Sequence, residues 1–557
     1  MKSDEIRKRF ISFFKNHEHK LVEPASLKTD DPSVLLTTAG MQQFKEYYTG
    51  KKNPEKDFKS KNLISIQPCF RTSDIDEVGD ESHLTLFEML GNFSFDGYFK
   101  DDAIKMAYEF FNELGIDKQR MFVTIFEGEN GIPRDEESEK IWKKLSMMNI
   151  KMGKGKDNFW GPTGDEGPCG PTTEIYVDGC EIWNIVFNEY LKDKNGKFHP
   201  LEQKGVDTGM GLERLAMVMQ GKKNVFETDL FLPIIEKIKE LKVVNKNNEK
   251  AYRIIADHIR GSVFLIKDGV RPSNVEEGYI LRRVLRRAIR YGKLLLLKGD
   301  YLQDLVDVVV KIYGKHYELN KNEIIKVIHE EYNKFESSLD KGLKEFNKRV
   351  FDKKISGKEA FLLYQSYGFP LELTKDLAEE KKLKVDEKEF YEEFEKHQNA
   401  SRGKSFKSGL ADKSDNTVKL HTASHLLLQA LNDVLTEDIQ QKGSNITPER
   451  LRFDFNFPRK LTDKEIKQVE EIVNEKIKEK LDVEMEEMPY AEAVKRGFRG
   501  AFEAKYPQVV SCYSMGNYSR EICTGPHVRN TKELGKFKIV KEESSSGGIR
   551  RIRAVLE

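Results

Sequence analysis

Two short segments near the end of the chain have the residue types and spacing of a metal site. His421-Thr422-Ala423-Ser424-His425 sets two imidazoles four residues apart, on one face of a helix. Cys523-Thr524-Gly525-Pro526-His527 adds a thiolate and a third imidazole at the same interval. Three imidazoles and one thiolate are proper zinc ligands, so His421, His425, Cys523 and His527 form the expected metal set, with Zn2+ the expected ion. The competing reading is a group of satisfied core histidines around a buried cysteine. No glutamate follows His421, which disfavours a metalloprotease of the His-Glu-x-x-His type.

Three N-terminal segments carry a second chemistry. Cys69-Phe70-Arg71-Thr72 enters a charged loop that leaves through Thr85-Leu86-Phe87-Glu88-Met89-Leu90. The Arg71 guanidinium can fork two phosphate oxygens and Phe87 can offer a face to a purine, which suits a nucleoside triphosphate. A surface hairpin with a buried aromatic stripe is the plainer alternative. The second segment runs from Asn158-Phe159-Trp160-Gly161-Pro162, through Gly167-Pro168-Cys169-Gly170-Pro171, to Glu181-Ile182-Trp183-Asn184-Ile185-Val186-Phe187. Glycine and proline at this density bring backbone close to a ligand more often than an ordinary loop requires. The third, Val206-Asp207-Thr208-Gly209-Met210-Gly211-Leu212-Glu213-Arg214, leads glycines into an amphipathic helix. There Asp207 can hold an ammonium group and Arg214 can meet a γ-phosphate.

A basic stripe follows. At helical spacing Arg282, Arg286 and Arg290 share one face, with Arg283 and Arg287 on the next. Such a helix either contacts phosphates or is a solvated face paired with nearby glutamates.

The elements that must position these groups divide the chain. Residues 1–242 mix strand-like runs (Met121–Phe126, Glu181–Phe187) with turns around a sheet core. Residues 243–396 show helical apolar spacing in a Lys/Glu background, as in Leu302–Tyr313 and Ile324–Phe335. Residues 397–418 read as a Ser/Gly/Lys linker. Residues 419–557 mix a helix at 421–434, strands near 451–457 and 537–540, and a helix at 463–480. The fold class is α+β, in several domains, as 557 residues exceed one core. The 94 Lys and Arg nearly cancel the 93 Asp and Glu, so net charge points to no polyanion partner. Five cysteines without a Cys-x-x-Cys pair argue against a disulfide scaffold or a paired zinc ribbon and fit a reducing cytoplasm. The charged N-terminus and the lack of a long apolar run predict a soluble protein that makes no membrane contact.

In this order FEMLGNFSF, GPCGPTTEI, EIWNIVF and VDTGMGLERLAMVMQ carry the three signature motifs of class II aminoacyl-tRNA synthetases. Their wording resembles the alanyl-tRNA synthetases. The resemblance implies an antiparallel-sheet catalytic core, a helical tRNA-recognition domain and an editing-like domain, with tRNA(Ala), alanine and ATP as partners and Mg2+ accompanying ATP. It implies Arg71, Asp207 and Arg214 as catalytic residues, and Arg71, His83, Phe87 and Arg214 around ATP. Trp160, Asn184, Val186, Asp207 and Gly209 would line the alanine pocket. Behind such a core the arginine helix is expected to bind acceptor-stem phosphates through Arg282 and Arg286, with Asn274 and Gln365 facing the G·U pair. Gln365 stands where the family has an aspartate; an amide can still bond a base edge. His421, His425, Cys523 and His527 match the editing metal motif, with Ser424 and Gln441 lining its pocket. Two departures are visible. A short linker stands where the family has a β-barrel, and the chain stops at Glu557, before the family's C-terminal domain, so a monomer is expected. A sister synthetase for another small amino acid, or an editing protein with an inactive core, are the rival readings.

Overall fold

The apolar runs of the N-terminal half assemble into one nine-stranded sheet. A computed structural model describes the chain except residues 30, 32, 156, 163–165, 244–246, 350–353, 406–413, 501–507 and 547. In chain order the strands are β1 (Lys20–Leu21), β2 (Asn62–Phe70), β3 (Leu86–Phe95), β4 (Met121–Phe126), β5 (Ile150–Gly153), β6 (Phe159–Trp160), β7 (Gly167–Val177), β8 (Cys180–Lys192) and β9 (Phe198–Gly211). Across the sheet they run β1-β2-β3-β9-β8-β7-β4-β5, with β6 beside β7. The β1–β2 and β4–β5 pairs are parallel and the others antiparallel. Helix α1 (Ser3–Asn16) buries Ile6, Phe10, Phe13 and Phe14, with Phe14 edge-on to Trp183 of β8. Helix α2 (Leu212–Met219) starts directly after β9.

After a further helix at Leu232–Leu241 come α3 (Glu249–Lys267), α4 (Glu276–Leu294), α5 (Tyr301–Tyr313), α6 (Lys321–Arg349), α7 (Gly357–Tyr367) and α8 (Leu371–Glu380). The two-residue strands β10 (Lys354–Ile355) and β11 (Lys384–Val385) pair in parallel around α7 and α8. Helix α3 is buried from Ala251 to Ile266 almost without a break. A helix buried on all sides needs partners all round, and α3 packs on α4, α5 and β3. Residues on both sides of position 242 therefore share one compact unit, Met1–Ile355 with Glu359–Val385.

The second unit is Ser356–Lys358 with Asp386–Glu557. Its helices α9 (Glu387–Ser405) and α10 (Asp415–Leu435) extend into both ends of the stretch expected to be a linker, whose residues 406–413 lie outside those described. A single glycine, Gly403, is a modest cost inside a helix rather than a stop. Strands β12 (Gln441–Thr447), β13 (Arg450–Asn456), β18 (Phe537–Ser546) and β19 (Ile549–Leu556) form an antiparallel sheet in the order β12-β13-β19-β18. A second sheet has the order β14 (Val483–Pro489), β16 (Val509–Met515), β17 (Ser519–Ile522), β15 (Arg499–Gly500). Leu426, Leu427 and Leu431 of α10 share a core with Phe453, Phe455 and Ile552 of the first sheet and with Val469 and Val473 of α11 (Asp463–Lys478). Among the described residues no helix is long and apolar enough to cross a membrane.

Candidate functional site

Strands β8 and β9 pair with Val186 opposite Asp207 and Asn184 opposite Gly209. Residues two apart on a strand share a face, so this register puts all four on one patch. On the other side of β9, Phe93 of β3 stands opposite Asp207. Trp160, opposite Gly170 on β7, packs on the cluster of Phe44, Tyr48 and Phe93. Asp207 is 5% exposed, and burial pushes its carboxyl up to about 7. The Asn184 amide donates to Glu174 Oε1 at 3.3 Å, while its Oδ1 is buried without a hydrogen-bond partner among the described residues. A buried carboxylate and an unmet carbonyl on one patch are what a primary ammonium group would satisfy. At Gly209 a Cβ would come 2.9 Å from Met89 Sδ, so the patch has room for a hydrogen there and little more.

Next to this patch is a charged rim. Phe87 is paired with Cys69, two residues before Arg71, and the exposed Arg71 guanidinium lies 4.9 Å from the Phe87 ring centroid. In the loop between β2 and β3, His83 Nδ1 meets Asp80 Oδ2 at 2.6 Å. Arg214, in the first turn of α2, donates to Glu181 Oε2 at 3.0 Å and to Glu181 O at 3.1 Å. Sequence reasoning missed two acids here, Glu174 and Glu181. Glu174 lies opposite Asn184, in the same row as Gly209. Burial, and then the charge of Glu181, push it up to about 7. Its only sequence signal was an acid inside an apolar run, GPTTEIYV. A rim of arginines and acids can take a polyphosphate with its divalent cation.

In the second unit His421, His425, Cys523 and His527 converge, with one ligand atom from each lying within 4.8 Å of the others. Helix α10 supplies the first two, and the residues after β17 supply the others. His421 Nε2 is 3.4 Å from Cys523 Sγ, and His527 Nε2 is buried without a partner among the described residues. Outer contacts orient the rings. His421 Nδ1 is 3.0 Å from Pro526 O, His527 Nδ1 is 3.2 Å from Thr422 Oγ1, and His425 Nε2 is 3.7 Å from Glu521 Oε2. Burial lowers the His421 imidazole to about 4, pushes His425 and His527 well down, and raises the Cys523 thiol to about 12. Three neutral imidazoles around one thiol, with an orphaned ring nitrogen, fit a zinc ion. Ser424 lies on α10 between the two histidines, but its hydroxyl donates to His421 O at 2.7 Å. The Gln441 amide donates to Ser444 Oγ at 3.0 Å, not to a histidine of the cluster.

Two family descriptions match the sequence. "tRNA synthetases class II (A)" covers residues 5–447, and "Threonyl and Alanyl tRNA synthetase second additional domain" covers 510–553. The alanine–tRNA ligase of Borrelia hermsii is 47% identical over 595 aligned positions spanning 100% of both chains. That of Treponema pallidum is 44% identical over 100% of this chain and 98% of its own. The Thermotoga maritima enzyme is 37% identical over 100% of this chain and 80% of its own. The chain belongs to the alanine–tRNA ligase family.

One expectation drawn from that family needs correction. The arginine face of α4 does not lie open to RNA. Arg286 is 9% exposed; its Nε donates to Glu331 of α6 at 2.6 Å and its Nη1 to Gly368 O. Arg283, Arg287 and Arg290 face Glu372, Asp376 and Glu380, three acids on successive turns of α8. A buried guanidinium needs an acid and carbonyls around it, and the helices packed on α4 provide them. The residues left at the surface are Asn274 and Gln365, both exposed, and the half-buried Arg282, whose Nη1 donates to Asn274 Oδ1. In this member of the alanine–tRNA ligase family, Arg286 is committed to Glu331 and the Gly368 carbonyl inside the fold, while Asn274, Gln365 and Arg282 keep polar groups at the surface.

Proposed function

We propose that the chain activates alanine with ATP and loads it onto the 3′ end of tRNA(Ala). The β8–β9 register that joins Asp207, Val186, Asn184 and Gly209 carries the reading. Asp207 receives the ammonium group, while Trp160 and Val186 bound the methyl group. Sterics exclude longer side chains but reject glycine and serine only weakly.

Alanine's own carboxylate is the nucleophile. Its oxygen attacks the α-phosphorus of ATP, the bond to the bridging oxygen breaks, and pyrophosphate leaves. This step needs no proton transfer, so the protein supplies position and charge. Arg71 holds the α-phosphate, Phe87 faces the purine, His83 lies beside the nucleotide and Arg214 meets the γ-phosphate. Glu174 and Glu181 would hold Mg2+, which offsets phosphate charge when bound. In the second step a terminal ribose hydroxyl attacks the acyl carbon and AMP departs with the hydroxyl proton.

Functionally we divide the chain into a catalytic part (1–242), a tRNA-recognition part (243–396) and an editing-like part (419–557). In the last, His421, His425, Cys523 and His527 would hold Zn2+, a Lewis acid suited to hydrolysing mischarged ester. ATP–pyrophosphate exchange with alanine, glycine, serine and threonine tests the reading. Alanine-dependent exchange that Asp207→Ala abolishes is the expected result. Exchange driven best by another amino acid would point to a sister enzyme. No exchange would leave the His/Cys cluster as the remaining activity.

A further inference from the structure

The segment from Arg71 to Thr85 joins β2 to β3 and carries two of the ATP residues, Arg71 and His83. A loop of this length around a charged ligand loses much conformational entropy when it is held still. Here cations and acids from α3 and α4 hold it at every turn. Arg287 of α4, 2% exposed, donates from Nη1 to Ile75 O at 2.5 Å and from Nη2 to Val78 O at 3.5 Å. Arg283 Nη2 meets Asp76 Oδ1 at 2.7 Å. Arg253 of α3 donates to Asp80 O at 2.8 Å and to Gly79 O at 3.4 Å. At the exit, Asp257 of α3 accepts from Thr85 N at 3.0 Å and Thr85 Oγ1 at 2.5 Å. The neck is closed by Arg71 N donating to Thr85 O at 2.8 Å.

These contacts form one circuit. Asp257 meets His258 Nδ1 at 2.9 Å, and His258 Nε2 accepts from Arg287 at 3.1 Å. The far side of Arg287 is fixed in turn by Asp376 Oδ2 at 2.8 Å. Packing adds to the hold: a Cβ on Gly79 would come 2.8 Å from Lys250 Cγ, so the loop lies directly on α3. None of these arginines touches the patch around Asp207. What they touch is the backbone between two nucleotide-binding side chains.

The geometry points to Arg253, Arg283 and Arg287 as positioning residues for ATP: they clamp the 71–85 loop so that Arg71 and His83 face the nucleotide. The inference rests on the ligase reading above for the identity of the ligand, though the clamp itself can be tested without it. Arg290 makes the next contact of the same helix, to Glu380, without reaching the loop, and is the internal control.

Arg287→Gln, Arg287→Lys, Asp76→Asn and Arg290→Gln are compared in the full chain by amide hydrogen exchange of residues 72–83 and by ATP–pyrophosphate exchange. The expected result is faster amide exchange in that segment, with a KM for ATP raised about tenfold in Arg287→Gln, about 1.4 kcal/mol of lost binding. The KM for alanine stays within about twofold. Arg287→Lys, which keeps the charge but can reach only one carbonyl, lies between wild type and Arg287→Gln. Asp76→Asn loosens the loop from its own side and covers the case in which Arg287→Gln does not fold. Arg290→Gln moves neither readout. Unchanged amide exchange of the loop in Arg287→Gln and Asp76→Asn would overturn the clamp. So would ATP and alanine KM values rising together. Absence of exchange in the wild type would instead count against the ligase reading, leaving the amide-exchange comparison to decide the clamp.

Discussion

Asp207 is a carboxylate enclosed by strands, and its raised pKa ties binding to stability. A carboxyl whose folded pKa lies above its unfolded value contributes stability that is lost as pH rises through the folded value, here about 7. Without alanine, therefore, Asp207→Asn should raise the thermal midpoint at pH 8, and the advantage should fade as the pH falls below 7. The same variant should lose alanine-dependent exchange, since no anion remains for the ammonium group. A melting series across pH, read beside exchange rates, checks both halves; an unchanged midpoint at pH 8 would mean the site is wetter than its 5% exposure indicates. Gly209 offers a steric counterpart. Gly209→Ala drives a methyl group toward Met89 Sδ and into the patch, so the KM for alanine should rise about tenfold or more while that for ATP stays put.

At the scale of elements, α4 shows where reading from sequence stops. The helix itself is legible from its 3.6-residue period, but the expected stripe splits: Arg282 and Arg286 meet Glu331 of α6, while Arg290 joins Arg283 and Arg287 against α8. What the stripe faces is not legible, because Glu331, Asp376 and Glu380 lie far along the chain and period alone carries no partner. Asp207, Asn184 and Val186 come together in the sequence only through the family resemblance, and it is the β8–β9 register that sets them on one patch. Glu174 was missed because a lone acid in an apolar strand has no spacing to mark it. Arg286→Gln should accordingly destabilise the fold by up to about 3–5 kcal/mol, because it leaves the buried Glu331 with only the longer 3.7 Å contact to Arg282. Urea unfolding measures this. A loss of RNA affinity with no loss of stability would restore the phosphate-contact role. Asn274→Ala, at the surface, should instead weaken tRNA binding and leave unfolding unchanged.

Across the whole molecule, two chemistries sit in two compact units. The ammonium patch and charged rim belong to the first, the His/Cys cluster to the second. Cys523→Ser should lower bound zinc by about one equivalent per chain, as read by atomic absorption. Hydrolysis of mischarged seryl-tRNA should fall with it, while alanine-dependent exchange is untouched. Loss of exchange in the same variant would show that the two units depend on each other.

The three acid–arginine rungs between α4 and α8 also bear on how this sequence can drift. Arg290 and Glu380 answer mainly to each other, so a lineage can pass through Arg290→Glu with Glu380→Arg and keep the rung. Arg287 has no such freedom. Its inverted partner would present a carboxylate to the carbonyls of Ile75 and Val78, which need a donor. Among relatives, co-substitution should therefore appear at 290 and 380 and be missing at 287 and 376, the neighbouring rung of the same ladder.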